Sequence, residues 1–478
     1  MLFPTVDFAI FFTAVLAAYW VLRPWRLGWR LLLLGASYFF YGYWDVRFCL
    51  LLAGSTAANW LFGQAVGAAL RGGEKTAVSR WLVAGSVVAN LALLGFFKYY
   101  NFFTTEVRNG LGDFGIGMPM PLLNVILPVG ISFFTFQGLS YVIDIHRGDL
   151  KKPLSFLDFA VFQSFFAHLV AGPIVRASEL GPQLIRPMAA REINTTLAFS
   201  LIIAGLFKKV VVSSYLSEQI VDPVFRVPGE HGGFEVLVAM YAYAIQIFAD
   251  FSGYTDIAIG CALLLGFRFP QNFDAPYRAL SLQDFWRRWH MTLSRWLRDY
   301  LYVGLGGNRG SRLFTARNLA LTMVLGGLWH GAAWTFVAWG AIHGAGLVVE
   351  RYIPGLLPGK DARRGLTPAN VIRWAITFHL VVGAWVFFRA QSFDLALEMF
   401  SGLGRGWGAA APLVTPLLAA SIAGMVALQF LPERLNVRWH VSFSRLTPAA
   451  QAACLAGCLV LVNVLGPEGV SPFIYFRF

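Results

Sequence analysis

The chain has 478 residues, of which 57% are hydrophobic, 16% aromatic and only 13% charged. Against the roughly 25% charged residues of a soluble domain, that apolar excess excludes a water-soluble enzyme, and its long unbroken runs exclude a membrane β-barrel, whose strands alternate. The net charge of +13, from 38 Lys and Arg against 25 Asp and Glu, sits between apolar runs as in cytoplasmic loops; this reads as membrane topology, not a nucleic-acid surface, and leaves an all-α polytopic membrane protein.

The first apolar segment, ending near Leu22, has no Lys or Arg before Arg23, so it lacks the basic start of a cleaved signal and is expected to remain as a span. Arg23, Arg26 and Arg30 follow it, which predicts an N-terminus outside and these arginines inside. Further apolar segments run near 31–42, 48–64, 81–97, 121–143, 154–171, 196–213, 234–264, 319–349, 371–388, 411–430 and 448–465. About ten to twelve membrane helices are expected from them. Basic connectors fall near 71–80, 147–152 and 359–364, and no internal repeat is visible. The layout is one membrane domain over 1–478, with N-terminal helices to 120, a central core over 121–400 and C-terminal helices with an aromatic tail over 401–478. Cys49, Cys261, Cys454 and Cys458 lie in apolar sequence without a CxxC pair, so neither a disulfide framework nor a metal site is expected.

Asp250 and Asp256 interrupt the apolar segment QIFADFSGYTDIAIG. Six residues apart on an ideal helix they cannot share a face, and hydrogen bonding in a cavity wall is the expected role. The longest interruption of hydrophobicity is 266–317. At 100° per residue, Phe285, Trp289, Leu293, Trp296 and Tyr300 fall within about 80° of one another, opposite Arg287, Arg288, Arg295 and Arg298. That pattern predicts one amphipathic helix at the cytoplasmic face of the bilayer, with His290 at the border of its two faces. The following loop, GLGGNRG (304–310), fails as a nucleotide motif because Arg309 stands where GxGxxG needs glycine. Trp286, Arg287, Trp289, Asn308 and Arg309 are instead expected to bind a cytoplasmic thioester donor, its phosphates meeting the basic residues.

From Arg317 to Glu350 no Asp, Glu, Lys or Arg intervenes, yet His330 and His343 lie inside. As one helix those residues would span about 48 Å, longer than the roughly 30 Å hydrocarbon core, so a break or strong tilt is expected. Gly326, Gly327 and Gly331 crowd around Trp329 and His330, allowing close backbone approach or an opening of the helix at that level. An ionisable side chain inside such a segment is a functional candidate, which singles out His330. His343 reads as a neutral imidazole hydrogen-bonded to a neighbouring helix, and His168 and His379 as packing residues or local hydrogen-bond partners.

WRRWH (286–290) followed by GGLWHG (326–331) resembles the signature of the membrane-bound O-acyltransferase family. LPVGISFFTFQ (127–137), AGPIVR (171–176), DFSGYTDIAIG (250–260) and NFDAPY (272–277) are similar to its bacterial alginate O-acetylation branch. The resemblance covers nearly the whole chain and places the family histidine on His330 and its second polar position on His290. It implies a ring of tilted helices around a central funnel, with interfacial amphipathic helices. It also implies transfer of acetyl from acetyl-CoA or an acyl-carrier thioester, with no bound cofactor, across the bacterial inner membrane onto an exported polysaccharide, alginate first. Cellulose, peptidoglycan and teichoic acid D-alanylation are the other acceptors within this chemistry. The expected partners are membrane lipids, an outer SGNH-type acyltransferase with a serine nucleophile, and a polysaccharide secretion complex. The tail SPFIYFRF is similar to an aromatic motif in which a tyrosine relays the acyl group, here Tyr475. A phenol needs a base to attack at neutral pH, and His330 is its expected base. A proton-coupled transporter using the same buried His and Asp residues is the reading from a different class.

Overall fold

The computed structural model describes residues 1–70, 73–114, 121–123, 126–170, 172–353 and 367–466. Arg71, Ala171, the basic connector 359–364 and the tail with Tyr475 lie outside them. The chain is 76% helical, with no strand among the described residues. The helices used below are α1 (Val6–Leu22), α2 (Arg26–Gly42), α3 (Arg47–Ala69), α4 (Ala77–Asp113), α5 (Ile131–Arg147), α6 (Phe156–Ser164), α7 (Thr195–Arg226), α8 (Gly233–Leu264), α9 (Leu282–Arg288), α10 (Met291–Trp296), α11 (Arg312–His330), α12 (Trp334–Tyr352), α13 (Pro368–Arg389), α14 (Pro416–Leu428) and α15 (Pro448–Leu465).

Among the described residues, α3, α4, α7, α8, α13 and α15 are long and apolar enough to cross a membrane, while α1 and α14 are shorter apolar helices. This is fewer than the ten to twelve expected, because apolar stretches such as 121–143 and 154–171 are divided among short helices and turns. Large apolar side chains such as Leu50, Trp81 and Val464 face outward. In water such a surface would be unstable, but against lipid it is the natural exterior.

The chain divides into two compact units, residues 1–198 with 258–270, and residues 199–257 with 271–478. In the first, aromatic rings of α1 and α2 (Phe8, Phe11, Phe40) close on Phe166. Two pairs of buried polar groups there are matched across helices. The Arg30 guanidinium meets Asp158 at 2.8 Å and donates to the Leu184 carbonyl at 2.9 Å. Asn59 and Asn90 exchange amide hydrogen bonds of 3.1 and 2.8 Å between α3 and α4. His168 is fully buried against Phe162, Phe165 and Phe269 with Nε2 at 2.9 Å from the Phe162 carbonyl, in keeping with its reading as a packing residue.

In the second unit, α7 and α8 approach backbone to backbone. A Cβ on Gly205 would strike the Gly253 carbonyl, and one on Gly253 the Gly205 carbonyl. At this seam Lys208 pairs with Asp256 and the fully buried Lys209 with Asp250, which also accepts from Ser213 Oγ at 3.1 Å. A π-helical stretch, Phe207–Ser213, carries both lysines. Its wider turn departs from the 100° spacing of an α-helix, and adjacent lysines reach two carboxylates on an α8 that runs unbroken through Gly253.

The predicted single amphipathic helix over 285–300 is not what forms. α9 ends at Arg288, His290 takes the left-handed conformation (φ 42°, ψ 54°), and α10 restarts at Met291 before a π-helical turn over Leu297–Tyr302. The cause is Asn272, whose carbonyl accepts from Met291 N at 2.9 Å while its side-chain Oδ1 accepts from Thr292 N at 3.2 Å and Thr292 Oγ1 at 2.9 Å. These bonds replace helical ones at the break. The aromatic stripe is also not turned to the bilayer: Phe285, Trp289, Leu293, Trp296 and Tyr300 are all buried in protein.

The stretch from Arg317 to Glu350 breaks where the glycines predict. α11 ends at His330, residues 331–333 turn, and α12 returns antiparallel. A Cβ on Gly327 would collide with the Phe336 carbonyl, on Gly340 with the Met323 carbonyl, and on Gly344 it would press on Ala320. The sums of these paired numbers stay near 663, fixing both direction and register. Tyr352 Oη closes the far end by donating to the Arg312 carbonyl at 2.9 Å.

Candidate active site

His330 occupies the last residue of α11. Gly331 must be small because a Cβ there would enter the ring of Phe336, so the turn after His330 folds tightly and leaves its imidazole among rings. Trp329 lies 4.9 Å away between centroids, Trp339 of α12 at 5.2 Å and Phe388 of α13 at 5.1 Å. The side chain is 5% exposed.

His290 joins the same cluster. Its ring lies 6.2 Å from Trp329, and Phe251 of α8 packs edge-on beneath it at 4.6 Å. Trp329 therefore stands between the two histidines that the sequence singles out. The His290 Nδ1 is 3.1 Å from Asn272 Oδ1. That oxygen already accepts from the Thr292 backbone N–H, so it is an acceptor and Nδ1 must carry the proton. Nε2 then holds the lone pair, and it has no hydrogen-bond partner among the described residues. The segment lies outside the six long apolar helices, and complete burial pushes this imidazole from its ordinary value down to about 3. His290 is thus a neutral acceptor at physiological pH, fixed in orientation.

The third histidine reads as a hydrogen-bonded neutral imidazole in the sequence, and the structure places it in the same aromatic stack. His343 lies 4.9 Å from Trp339, and its Nδ1 accepts from Trp286 Nε1 at 3.3 Å. Trp385 bridges Trp339 at 5.6 Å and Trp289 at 4.9 Å. Trp286 and Trp289, expected to meet a donor, are therefore walls of this aromatic box. Arg288 is tied to Asp274 at 2.8 Å and Asp284 at 3.1 Å, while Arg287 stays exposed. Glu350 at the end of α12 accepts from Leu282 N and Gln283 N at 2.5 and 3.0 Å, which docks the start of α9 on the hairpin.

Asn308 and Arg309 are exposed in a turn held to α11 by Asn318, whose Nδ2 donates to the Gly307 carbonyl at 2.9 Å. They lie at the opposite end of α11 from His330, about 27 Å along the helix. Asp250 and Asp256 lie in the ion-paired seam described above. Tyr475 lies outside the described residues, so its distance from His330 is not part of the geometry. The residues that sequence reasoning missed are Asn272, Trp339, Trp385 and Phe388. NFDAPY drew attention to position 272 without assigning it a contact, and the three rings carry no signal in segments already rich in aromatics.

At the His330 end of the hairpin a cavity of about 680 Å³ opens. Its walls come from Asp222, Phe225 and Arg226 at the end of α7, Gln246 of α8, the 332–336 turn, and Arg389 with the residues after it. Arg389 meets Asp222 at 2.6 Å. Phe336 lines the cavity and contacts Phe388 at 5.0 Å, and Phe388 contacts His330. The contacts that lead from the imidazole to the cavity thus run through two rings, Phe388 and Phe336.

The family model described as MBOAT, membrane-bound O-acyltransferase family, matches residues 146–391. The chain is similar to a probable alginate O-acetylase of Pseudomonas aeruginosa, 45% identical over 378 residues covering 78% of this chain and 69% of that protein. It is 38% identical over 475 residues to one from Pseudomonas putida, covering 94% of both. A peptidoglycan O-acetyltransferase of Helicobacter pylori is 38% identical over 401 residues, covering 78% of this chain and 73% of its own length.

Proposed function

Because the chain belongs to the membrane-bound O-acyltransferase family and is an O-acyltransferase, we propose that it takes acetyl from a cytoplasmic thioester and delivers it at the outer face of the bacterial inner membrane for O-acetylation of an exported polysaccharide. Alginate is the first acceptor to test, since a relative matched over 94% of both chains is named a probable alginate O-acetylase. The observation that carries this reading is the pair of buried imidazoles on either side of Trp329, next to a cavity at the end of the hairpin.

His330 acts as general base and acid. As the acceptor hydroxyl attacks the thioester carbonyl, its proton passes to the imidazole; the new O–C bond forms, the C–S bond breaks, and the proton goes on to the departing thiolate. His290 Nε2, an acceptor without a partner in the described structure, orients a donor N–H or O–H of the thioester arm. Acetyl-CoA or an acyl-carrier thioester is the substrate, approaching past Arg287, Asn308 and Arg309, with the N-terminus of the chain outside. Tyr475 receives acetyl as an ester in a relay, and an SGNH-type partner with a serine nucleophile, within a secretion complex, completes the transfer to polymer. Phe336 or Phe388 must swing aside for a hydroxyl to reach His330.

Membranes given labelled acetyl thioester test this directly. His330→Ala is expected to lose label transfer to protein and polymer by about 100-fold or more, the range of general acid–base catalysis; undiminished transfer removes His330 from the chemistry, and solute movement without any ester would make the chain a transporter. Tyr475→Phe is expected to abolish the protein-bound ester, and full transfer in that variant removes the relay alone.

A further inference from the structure

Phe388, one of the two rings between His330 and the cavity, has little freedom of its own. It is 1% exposed, and four rings meet it edge-on: His330 at 5.1 Å between centroids, Phe336 at 5.0 Å, Trp339 at 5.2 Å and Trp385 at 5.1 Å. A ring so enclosed cannot turn without displacing a neighbour, so an opening toward His330 requires the end of α13 to move. That end is tied. Arg389, the next residue and the last of α13, meets Asp222 at 2.6 Å, and its guanidinium lies over the Phe225 ring at 5.7 Å. Asp222 is itself held, because its other carboxylate oxygen accepts from Ser217 Oγ at 2.9 Å across the π-helical stretch Ser217–Val221 of α7. Neither charge is sealed: the Arg389 and Asp222 side chains are 16% and 23% exposed, and both line the cavity. A pair sealed like Lys209 and Asp250 cannot part without stranding a charge, whereas a part-exposed pair can trade its partner for water at small cost.

We propose that the Arg389–Asp222 pair is the latch of an aromatic shutter. Closed, it holds Phe388 across His330; released, it lets the end of α13 shift so that the imidazole meets the cavity. Arg389 and Asp222 touch neither the acyl group nor the imidazole in this scheme, and act as positioning residues through Phe388. The inference rests on the acyl-transfer reading and deepens it, by naming what decides when an acceptor hydroxyl reaches His330. A shutter closed between turnovers also keeps out water, which would otherwise take the acetyl group as acetate.

Diethyl pyrocarbonate, which carbethoxylates a neutral imidazole nitrogen, reads the opening without any turnover. The full chain in lipid nanodiscs is labelled, and the rate at each histidine is followed by peptide mass spectrometry. With labelling slow relative to closing, that rate tracks the open population. Arg389→Gln and Asp222→Asn are each expected to speed labelling of His330 about fivefold, the scale of a part-exposed ion pair. The exchange Asp222→Arg/Arg389→Asp rebuilds the pair with its signs reversed and is expected to return the rate to within about twofold of the parent. Phe388→Ala removes the shutter itself and is expected to speed labelling about tenfold with the pair intact. His168, fully buried in the other compact unit, reports loosening of the whole chain and is expected to keep its rate. Unchanged His330 labelling in both single variants or in Phe388→Ala, an equal rise at His168, or no restoration by the exchange overturns the proposal. Acetyl-thioester turnover on the same samples keeps the two readings apart. His330-dependent transfer with labelling indifferent to the pair defeats the shutter only, whereas labelling that follows the pair without His330-dependent transfer defeats the acyl-transfer reading.

Discussion

The α7–α8 seam and the aromatic box around His330 are both buried and both contain ionisable side chains, but they satisfy them in opposite ways. In the seam each lysine has a carboxylate, and Asp250 also takes a serine hydroxyl. In the box the walls are indoles and phenyl rings, and the Nε2 atoms of His290 and His343 have no hydrogen-bond partner in the described structure. A charge sealed from water is tolerable only when matched, so the seam reads as architecture. A polar atom with nothing to bond costs about 1–3 kcal/mol, and under the proposed function a reactant would supply that complement in the box.

If that contrast is right, the seam should respond to broken pairs with loss of stability and the box with loss of chemistry. The largest effect is expected from Lys209→Met, which leaves the buried Asp250 carboxylate without its lysine and should cost about 3–5 kcal/mol of stability. The double variant Lys209→Met/Asp250→Leu should recover most of it in thermal unfolding, and failure to recover would mean that the pair does more than balance charge. Next comes Asn272→Ala, which leaves the Thr292 N–H and the His290 Nδ1–H without their acceptor. A cost of about 2 kcal/mol is expected, together with about a tenfold loss of label transfer as the imidazole loses its orientation. Asn272→Asp keeps the acceptor and should retain more of both.

Per pH unit, the smallest effect concerns acid. Because the fold lowers the pKa of His290 from 6.5 to about 3, protons bind the unfolded chain more readily, and stability must decline as pH falls below 6.5 toward 3. One such group contributes about 1 kcal/mol per pH unit across that window. His290→Asn, which tolerates a left-handed backbone, should flatten the melting temperature against pH between 6.5 and 4.5. An unchanged slope would place the acid sensitivity elsewhere.

The seam and the box were legible in the sequence to different depths. The break beside His330 was readable because glycines crowd a stretch too long for one span. The membrane class followed from composition, and the family resemblance followed from short motifs around His290 and His330. The break at His290 was not readable, because helical periodicity over 285–300 is regular and the group that interrupts it, Asn272, lies 18 residues away and acts through tertiary hydrogen bonds. Lys208 and Lys209 escaped notice as partners of Asp256 and Asp250 because the π-helical stretch that carries them has no sequence signature. The box is assembled from α9, α11, α12 and α13, and in apolar segments rich in Trp and Phe nothing local distinguishes a ring that lines a reactive centre from one that meets lipid.

Where Gly327, Gly340 and Gly344 sit, α11 and α12 touch main chain to main chain, with no compressible layer of side chains to absorb a displacement. Tyr352 fastens one end of the pair and Glu350 clamps the start of α9 beside it. At these positions the two rods therefore cannot draw any nearer without main-chain atoms colliding.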